Sequence, residues 1–399
     1  MASVPELLSI EDAQRLILDH ARPLPPEPVP IAAASARVLA DAARAVVDLP
    51  PFPSSAMDGF ALRSQDTPGM LRVGFRIAAG RPAKRPLGAG EAMGIATGGV
   101  VPEGADAVVP VEHVVQRGTE VEVPRVGIGA NVRPTGGDTR AGDLVCDAGV
   151  RLGPAQLGAL AAAGIAEVRC ALRPRAAVLV TGTELQTPGR PLAPGQVYEA
   201  NSVMLVAQLE GAGAVVERLT TVEDDEHAHR EALERGLEAD VVVTSGGVSV
   251  GPHDLVRAAA RGLGVEEVLW GIAVKPGKPL SFGVRGRTLV FGLPGNPVSA
   301  LVGFELFVRP AVLALQGLAD PRPVFRVGRL SRAVPRNPHR DELVRARSAQ
   351  EDGEVVLEPV RGQESHMIVR AAGADALVLV ARGDGNLGAG SRVDYLSLI

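Results

Sequence analysis

Three short apolar runs, each leading through a glycine-containing loop toward a helix-forming stretch, constrain the fold more than any other feature of this sequence. The runs are 176–180, 240–243 and 288–291, and helices are predicted at 202–210, 255–261 and 299–316. Continuous apolar strands that alternate with helices are typical of a parallel sheet covered on both faces. The pattern therefore predicts a doubly wound α/β domain over residues 173–318, with Asn201 capping its first helix.

The rest of the chain follows other patterns, and the fold class we predict is α/β plus β, in several domains. Short apolar runs between Gly, Pro and Asp turns indicate a β-rich insertion domain at 51–146 and a small C-terminal β-barrel at 319–399. Residues 1–50 and 147–172 are predicted to form a discontinuous helical and extended domain. The predicted elements are helices at 9–20, 31–43 and 154–163 and strands at 107–111, 120–123, 143–146, 376–380 and 393–398.

Composition excludes some classes of function. A length of 399 residues is too great for one ordinary core. A net charge of −5, an aromatic content of 3% and the lack of a basic block argue against nucleic-acid binding. We find no signal peptide and no apolar stretch of about 20 residues, so we expect a cytoplasmic protein without a membrane span. Cys146 and Cys170 fit no metal or redox spacing and are expected to be buried, reduced thiols.

Ligands of open parallel sheets bind at the carboxyl ends of the strands, where two of the loops are rich in glycine and hydroxyls. After the first strand, Glu184 can hold a metal-bound water, or it is simply a solvated loop residue. After the second strand, an anion cradle ahead of a helix is predicted. Asp254 at the start of that helix is either a site residue or an N-cap. The predicted cradle residues are Gly246, Gly247, Ser249 and Gly251.

The third loop is the one whose backbone conformation is most restricted. Pro294 and Pro297 enclose Gly295 and Asn296 ahead of the long predicted helix, which suits phosphate or oxyanion binding better than a simple turn. Just upstream, Lys275 and Lys278 stand three residues apart among prolines. They offer positive charge at a defined place, unless they are solvated lysines of a surface turn.

Two turns of the insertion domain carry acids, at Asp58 and at Asp138. Asp-Gly is an ordinary turn dipeptide, so each turn alone is best explained structurally. Taken together, however, five segments resemble one family in the right order. They are SSAMDGFA from Ser54, ATGGVVPEGADAVVPVE from Ala96, TGTEL from Thr181, TSGGVSVG from Thr244, and KPGKP through GLPGNPVSA over 275–300.

These segments resemble the molybdopterin molybdenumtransferases, the MoeA-like proteins that include the E domain of gephyrin. The resemblance implies a homodimer whose active site lies between the α/β domain of one subunit and the insertion of the other. The substrates would be adenylated molybdopterin and molybdate, with Mg²⁺ required and AMP released. A molybdopterin adenylyltransferase is a possible partner protein.

The resemblance also assigns residues. It implies catalytic roles for Asp58, Thr97, Asp138, Glu184, Asp224 and Asp254, of which Glu184, Asp224 and Asp254 would hold magnesium. The implied substrate-binding residues are those of the cradle together with Pro294, Gly295, Asn296 and Pro297. The implied molybdate pocket is Lys275, Lys278, Ser299, Arg345 and Ser365.

Three positions depart from the family pattern. Thr183 and Pro252 stand where acids are usual, and Gly271 stands where some members carry a basic residue. Two rival functions therefore stay open. A molybdopterin adenylyltransferase would release pyrophosphate rather than AMP, although it needs no long β insertion. A non-catalytic pterin carrier or scaffold would bind the pterin without turnover.

Overall fold

The computed structural model describes residues 7–219, 226–246 and 255–398. The chain forms two compact units. Unit 1 contains residues 7–27 and 36–40 and the described residues from 170 onward, and unit 2 contains residues 28–35 and 41–169. The finer division into four domains stays a prediction.

Short strands dominate the first part of the chain, as its turn-rich pattern predicted. The elements are α1 (Ile10–His20), β1 (Pro26–Pro30), β2 (Ala43–Arg44), β3 (Ser54–Ser55), β4 (Gly59–Leu62), β5 (Gly69–Ile77), β6 (Glu91–Ile95), β7 (Ala107–Pro110), β8 (Val115–Arg117), β9 (Glu120–Val123), β10 (Val132–Arg133), β11 (Leu144–Cys146), α2 (Pro154–Ala162) and β12 (Glu167–Ala171). In unit 2, a six-stranded mixed sheet has the order β7-β4-β6-β5-β9-β8. Both of its faces are buried, one around Phe60 and the other around Met93.

The capped first helix is confirmed. The Ser9 hydroxyl accepts a hydrogen bond from the Asp12 amide at 3.0 Å, which satisfies one of the free N–H groups of the first turn. Ala13 and Ile17 on the inner face of α1 are buried in the main core of unit 1. This apolar stripe anchors the N-terminal segment to the α/β domain.

The helix predicted at 31–43 is wrong. One 3-10 turn, Ile31–Ala33, forms there, and the chain then runs in irregular and extended conformations into β2. Leu39 forms a β-bridge with Cys170, and the Arg37 guanidinium donates to the Ala171 carbonyl at 2.7 Å. These long-range contacts override the helix propensity of an alanine-rich stretch, since propensity is worth only tenths of a kcal/mol per residue.

The α/β domain has the predicted alternation of strands and helices. Its elements are β13 (Arg175–Val180), β14 (Leu185–Gln186), β15 (Val197–Tyr198), α3 (Asn201–Gly211), β16 (Val215–Arg218), α4 (Glu226–Gly236), β17 (Val241–Ser245), α5 (Leu255–Gly262), β18 (Glu266–Trp270), β19 (Val274–Lys275), β20 (Ser281–Arg285), β21 (Thr288–Leu293), α6 (Pro297–Gly303) and α7 (Arg309–Leu315). The main sheet has the order β16-β13-β17-β21-β20-β18. Core clusters on its two faces confirm the double winding.

The sheet is mixed rather than wholly parallel, which corrects one part of the prediction. Strands β16, β13, β17 and β21 are parallel to one another, whereas β20 is antiparallel to both β21 and β18. A tight turn joins β20 to β21, and strands joined in this way run antiparallel. The parallel strands carry the three predicted loops.

The predicted helix at 299–316 is part of a longer helical stretch that contains a π-helical turn, Phe304–Val308, between α6 and α7. The stretch Pro297–Leu315 is long and apolar enough to cross a membrane, so the expectation that no stretch approaches that length was wrong. Because 78% of its 18 most apolar residues are buried inside the fold, this stretch is a core helix. It packs against the sheet and α1.

The C-terminal β-barrel is confirmed. Its elements are β22 (Arg326–Leu330), β23 (Val334–Pro335), β24 (Asp341–Glu351), β25 (Glu354–Pro359), α8 (Ile368–Ala371), β26 (Ala376–Val380), β27 (Asn386–Leu387) and β28 (Arg392–Ser397). Strands β24, β25, β22, β28 and β26 pair in that order, and β26 pairs again with β24, which closes the barrel. Strand β19 of the α/β domain adds to this sheet by pairing with β24. That pairing brings Lys275 beside Glu342.

Candidate active site

Three loops leave the carboxyl edge of the parallel strands and meet at Gly246. The Thr181 amide donates to the Ser245 carbonyl at 3.1 Å, and the Gly246 amide donates to the Leu293 carbonyl at 3.2 Å. Gly246 has φ +95°, and a Cβ there would lie 2.5 Å from the Thr181 carbonyl oxygen. A side chain at this position would therefore force the strand ends apart. This position therefore needs glycine for both conformation and space.

Asn201 joins these loops to α3, which corrects its predicted role as an N-cap. It is the first residue of α3 and makes no capping hydrogen bond. Its Nδ2 donates to the Ser245 hydroxyl at 2.8 Å and to the Gly295 carbonyl at 2.7 Å, while Ser245 donates to the Pro294 carbonyl at 3.2 Å. The side chain is buried, and Oδ1 finds no partner among the described residues. Asn201 thus fixes the third loop against the end of β17.

The cap of α3 is supplied instead by Glu199. Its buried carboxylate accepts from the Ser202 amide at 2.7 Å and also from the Ser202 hydroxyl. A carboxylate at a helix N-terminus satisfies free N–H groups and is favoured by the helix dipole. It holds the first turn of α3, and therefore Asn201, in place.

Glu184 lies on the exposed loop after β13. A Cβ on Gly182 would lie 2.7–2.9 Å from the carboxyl atoms of Glu184, so the carboxylate folds back over the glycine. Within the described ranges, no group of three acidic, His or Cys residues is arranged to hold a metal. The other predicted magnesium ligands, Asp224 and Asp254, lie outside the described residues, as do Gly247, Ser249 and Gly251. The magnesium site stays a prediction.

The third loop is tied to the segment that carries Ser365. The Asn296 side-chain Nδ2 donates to the Ser365 hydroxyl at 2.9 Å, and the Val298 backbone amide donates to the Ser365 carbonyl at 3.0 Å. Pro297 begins α6, and Ser299 in its first turn is 4% exposed. The structure therefore brings Ser299 and Ser365, which are 66 residues apart in the sequence, close together at the start of α6.

The turn that carries the two lysines reaches Ser299 through Gly277. The Lys275 ammonium forms an ion pair with the Glu342 carboxylate at 3.0 Å. Lys278 is exposed. Between them, Gly277 lies against the Ser299 carbonyl, which would be 3.7 Å from a Cβ on the glycine. Glu342 escaped the sequence analysis because only the pairing of β19 with β24 reveals it.

Arg345 is 1% exposed, and its guanidinium holds the segment around Ser365. It donates to the carbonyls of Gly362 (2.9 Å), Glu364 (3.2 Å) and Met367 (2.9 Å) and to the Gln363 side chain (3.3 Å). Burial lowers the pKa of Arg345, and the nearby charge of Glu364 only partly opposes this effect. No carboxylate lies within ion-pair distance in the part of the chain that the structure describes. A buried, unneutralised cation therefore stands beside Ser365.

In unit 2, the structure joins Asp58 to Thr97. One carboxylate oxygen of Asp58 accepts from the Thr97 amide at 2.6 Å and from the Thr97 hydroxyl at 3.0 Å. These bonds, chiefly the one from the backbone amide, lower the pKa of Asp58. The positive charge of Arg76 lowers it further. The glycine after Asp58 is required by the sheet rather than by a turn, because a Cβ on Gly59 would lie 2.0 Å from the Val109 carbonyl oxygen.

Asp138 lies on a second turn of unit 2. Its amide donates to the Leu49 carbonyl at 2.9 Å, and the Gly136 amide donates to the Pro50 carbonyl at 2.9 Å. The segment that follows Pro50 leads into β3, which pairs with β10. The turn of Asp138 is thus bound to Leu49 and Pro50, which precede Asp58 in the chain, and no hydrogen bond joins Asp58 to Asp138 among the described residues.

Family models match three stretches that cover most of the chain. Residues 8–164 match the MoeA N-terminal region (domain I and II), 177–314 a probable molybdopterin binding domain, and 327–398 the MoeA C-terminal region (domain IV). The chain belongs to the MoeA family. The fold and the order of motifs that the sequence predicted are those of this family.

Individual relatives agree with the family match. A protein of Mycobacterium tuberculosis, molybdopterin molybdenumtransferase 2, is 41% identical over 334 residues, which cover 78% of this chain and 81% of the relative. The molybdopterin molybdenumtransferase of Haemophilus influenzae is 34% identical, with 97% and 98% covered. The crystal structure of a molybdopterin biosynthesis MoeA protein from Pyrococcus horikoshii superposes with a TM-score of 0.81 at 31% identity, with 98% and 99% covered.

Of the three positions that depart from the MoeA pattern, the structure explains the residue at Gly271. Gly271 has φ +82°, and a Cβ there would lie 2.9 Å from a methyl of Leu7, so glycine suits this backbone and a longer side chain would strain it. Thr183 is exposed and adds no carboxylate beside Glu184. Pro252 lies outside the described residues.

Replacing Thr97 by valine should raise the pKa of Asp58 toward its ordinary value, because the hydroxyl hydrogen bond is lost while the backbone one remains. Since the folded-state pKa is depressed, the ionised Asp58 favours the folded state above its unfolded pKa, and this contribution is lost as the pH falls through the folded pKa. A ¹³C NMR titration of the carboxyl group measures the change. Thr119→Val, at an exposed threonine of the same unit, is the control, and an unchanged titration of Asp58 in Thr97→Val would refute the assignment.

Proposed function

We propose that this enzyme inserts molybdate into adenylated molybdopterin and releases AMP in a magnesium-dependent reaction. The observation that carries the proposal is the convergence of Lys275, Ser299, Ser365 and the buried Arg345 at the carboxyl side of the α/β sheet. Molybdate is a dianion, and a site for it must supply positive charge and hydrogen-bond donors at once. These residues offer both.

The charges in this pocket favour an anion. Arg345 is solvated by carbonyl groups, which stabilise it but leave its charge in place. Lys275 is balanced by Glu342, and Lys278 adds a further positive charge at the exposed side. An oxyanion between these groups would relieve the burial of Arg345, since buried charges are stable only when they are paired and hydrogen-bonded. Ser299 and Ser365 would orient it.

The phosphate link of the substrate would lie at the glycine cradle beside Gly246 and at the Gly295 and Asn296 backbone before α6. Amides at a helix start bind phosphate oxygens well. Glu184 fits one ligand position of magnesium, since it is an exposed carboxylate and magnesium keeps several waters. When bound there, magnesium would neutralise charge on the phosphate oxygens. We propose Asp224 and Asp254 as the other carboxylates of that site.

We further propose that a second copy of the chain completes the site, with Asp58, Thr97 and Asp138 from one subunit facing the α/β domain of the other. Apolar side chains near Asp58 support this arrangement. Met57, the neighbour of Asp58 in the chain, and Val111 are 41% and 49% exposed, and the Val111 amide donates to the Asp58 carbonyl at 3.1 Å. Apolar side chains grouped beside a functional carboxylate are typical of an interface. Analytical ultracentrifugation should show a dimer, and a monomer at micromolar concentration would refute it.

The experiment that tests the function incubates the full-length protein with adenylated molybdopterin, molybdate and magnesium, and quantifies AMP. AMP release that requires molybdate is the expected result. Release of pyrophosphate from molybdopterin and ATP would support an adenylyltransferase instead. Tight binding of the pterin without any turnover would support a carrier, the function favoured by the missing acids at Thr183 and Pro252. We expect the reaction in the cytoplasm, with a molybdopterin adenylyltransferase as a possible partner.

Asp58→Ala should leave folding unchanged and abolish AMP release. The side chain is exposed, and its hydrogen bonds end at the single residue Thr97, so the fold loses little. Comparison of AMP release at saturating substrate, together with the circular dichroism of both proteins, tests this. Asp384→Ala is a suitable control at an exposed acid of the C-terminal barrel. A normal rate for Asp58→Ala would remove Asp58 from the mechanism.

A further inference from the structure

Arg76 lies beside the Asp58–Thr97 pair, and nothing in the family motifs accounts for it. It stands on β5 in register with Gly94 of β6, and Gly94 is in register with Phe60 of β4, two residues after Asp58. These three positions form one row across the sheet. Only β6 therefore separates Arg76 from β4, which begins directly after Asp58.

Gly94 allows the Arg76 side chain to lie across β6. A Cβ on Gly94 would be 3.2 Å from Cγ of Arg76 and 3.7 Å from its Cβ and Cδ, so the aliphatic stem covers the position that a side chain would occupy. The stem thus runs over the glycine on the face of the sheet shared by that row. The electrostatic effect of Arg76 on Asp58 is consistent with a guanidinium near the carboxylate.

The guanidinium itself is uncommitted. Arg76 is exposed, and over the described residues it makes neither a hydrogen bond nor an ion pair. By contrast, Arg85 in the connection between β5 and β6 forms an ion pair with Glu91, and Arg117 on β8 forms one with Glu122 at 3.2 Å. Five N–H donors of a guanidinium are thus available next to a carboxylate whose Oδ1 is held by Thr97.

We propose that Arg76 binds a phosphate oxygen of the substrate at the Asp58–Thr97 half of the site. The inference rests on the proposed function. An ionised Asp58 would repel an anionic phosphate at short range, and a guanidinium between the two offsets that repulsion. Arginine suits this position because its planar fork can bind the carboxylate and the phosphate at once. Arg76 is thereby a substrate-binding residue specific to the phosphate, whereas Asp58 and Thr97 serve the reaction.

The test compares steady-state AMP release by the full-length wild-type protein and by Arg76→Gln. Loss of a charged phosphate contact should raise KM for adenylated molybdopterin about tenfold and leave kcat within about twofold. Arg76→Lys should recover part of the affinity, because it restores the charge without the fork. Arg117→Gln, which removes the same charge from the far edge of the same sheet, should behave as wild type. Gly94→Ala should raise KM without changing any charge, because the new methyl displaces the Arg76 stem.

An unchanged KM in Arg76→Gln would overturn the proposal. So would an equal rise in KM for Arg117→Gln, since the effect would then reflect net charge alone. If wild type releases no AMP, the proposed function fails, and equilibrium dialysis of adenylated molybdopterin still decides the role of Arg76. Weaker binding by Arg76→Gln than by Arg117→Gln would uphold it, and equal binding would refute it.

Discussion

Replacing Arg345 by lysine should destabilise the protein by about 3 kcal/mol or more, because each buried carbonyl that loses its partner costs about 1–3 kcal/mol. Arg345 satisfies the carbonyls of Gly362, Glu364 and Met367 from a position that is 1% exposed. A lysine ammonium at the same place reaches fewer of them and is harder to desolvate. The segment 362–367 should then loosen, and Ser365 with it.

Urea denaturation and limited proteolysis of the segment 360–367 measure this effect, and AMP release should fall at least about tenfold. The matched control is Arg347→Lys, two residues further along β24, where an exposed guanidinium donates to the Gly373 carbonyl at 2.8 Å. Arg347→Lys should lower the free energy of unfolding by less than about 0.5 kcal/mol. Equal stability of the two variants would show that Arg345 does not hold the segment.

Gly246→Ala should leave the protein folded but reduce turnover about a hundredfold, since a displacement of the order of 1 Å at a site can cost that much. The new methyl would lie 2.5 Å from the Thr181 carbonyl oxygen, and this backbone atom cannot move without shifting the end of β13. The loops after β13 and β17 would then no longer meet in one cradle. Turnover and the dissociation constant for adenylated molybdopterin should both change.

Gly264→Ala is the matched control, because Gly264 also has a positive φ, +81°, whereas a methyl added there would meet no atom of the described residues within 4 Å. It should lose about 1–2 kcal/mol of stability from backbone strain alone and keep wild-type turnover. If both variants lose activity equally, backbone strain rather than the collision with Thr181 is responsible.

The sequence predicted those elements whose formation depends on local pattern. The capped helix α1, the strand β9 and the apolar strands β13, β17 and β21 were located within a few residues, since apolar period and turn residues specify them. The helix at 31–43 was wrong because Leu39 pairs with Cys170 and Arg37 binds the Ala171 carbonyl, both more than 130 residues away. Only the folded chain brings those partners close.

The candidate site shows the same contrast between residues that a local pattern identifies and residues that only tertiary contacts identify. The loops around Gly246, Asn296 and Lys275 could be identified from glycine, proline and lysine at strand ends. Glu342 and Glu199 could not, because an acid on a strand or before a helix is unremarkable until its partner is known. Asn201 was assigned to a helix cap by its position, whereas its amide in fact binds Ser245 and Gly295.

By itself, the sequence determined most of the strands and helices and marked the glycine-rich loops at the strand ends, and its motifs identified the family. The tertiary structure alone decided which charges meet. Lys275 faces Glu342 because β19 joins the barrel sheet, and Arg345 holds the Ser365 segment because β24 passes beneath it. Hydrogen bonds and ion pairs act over a few ångströms, so their partners are fixed by the approach of distant segments and not by the spacing of residues along the chain.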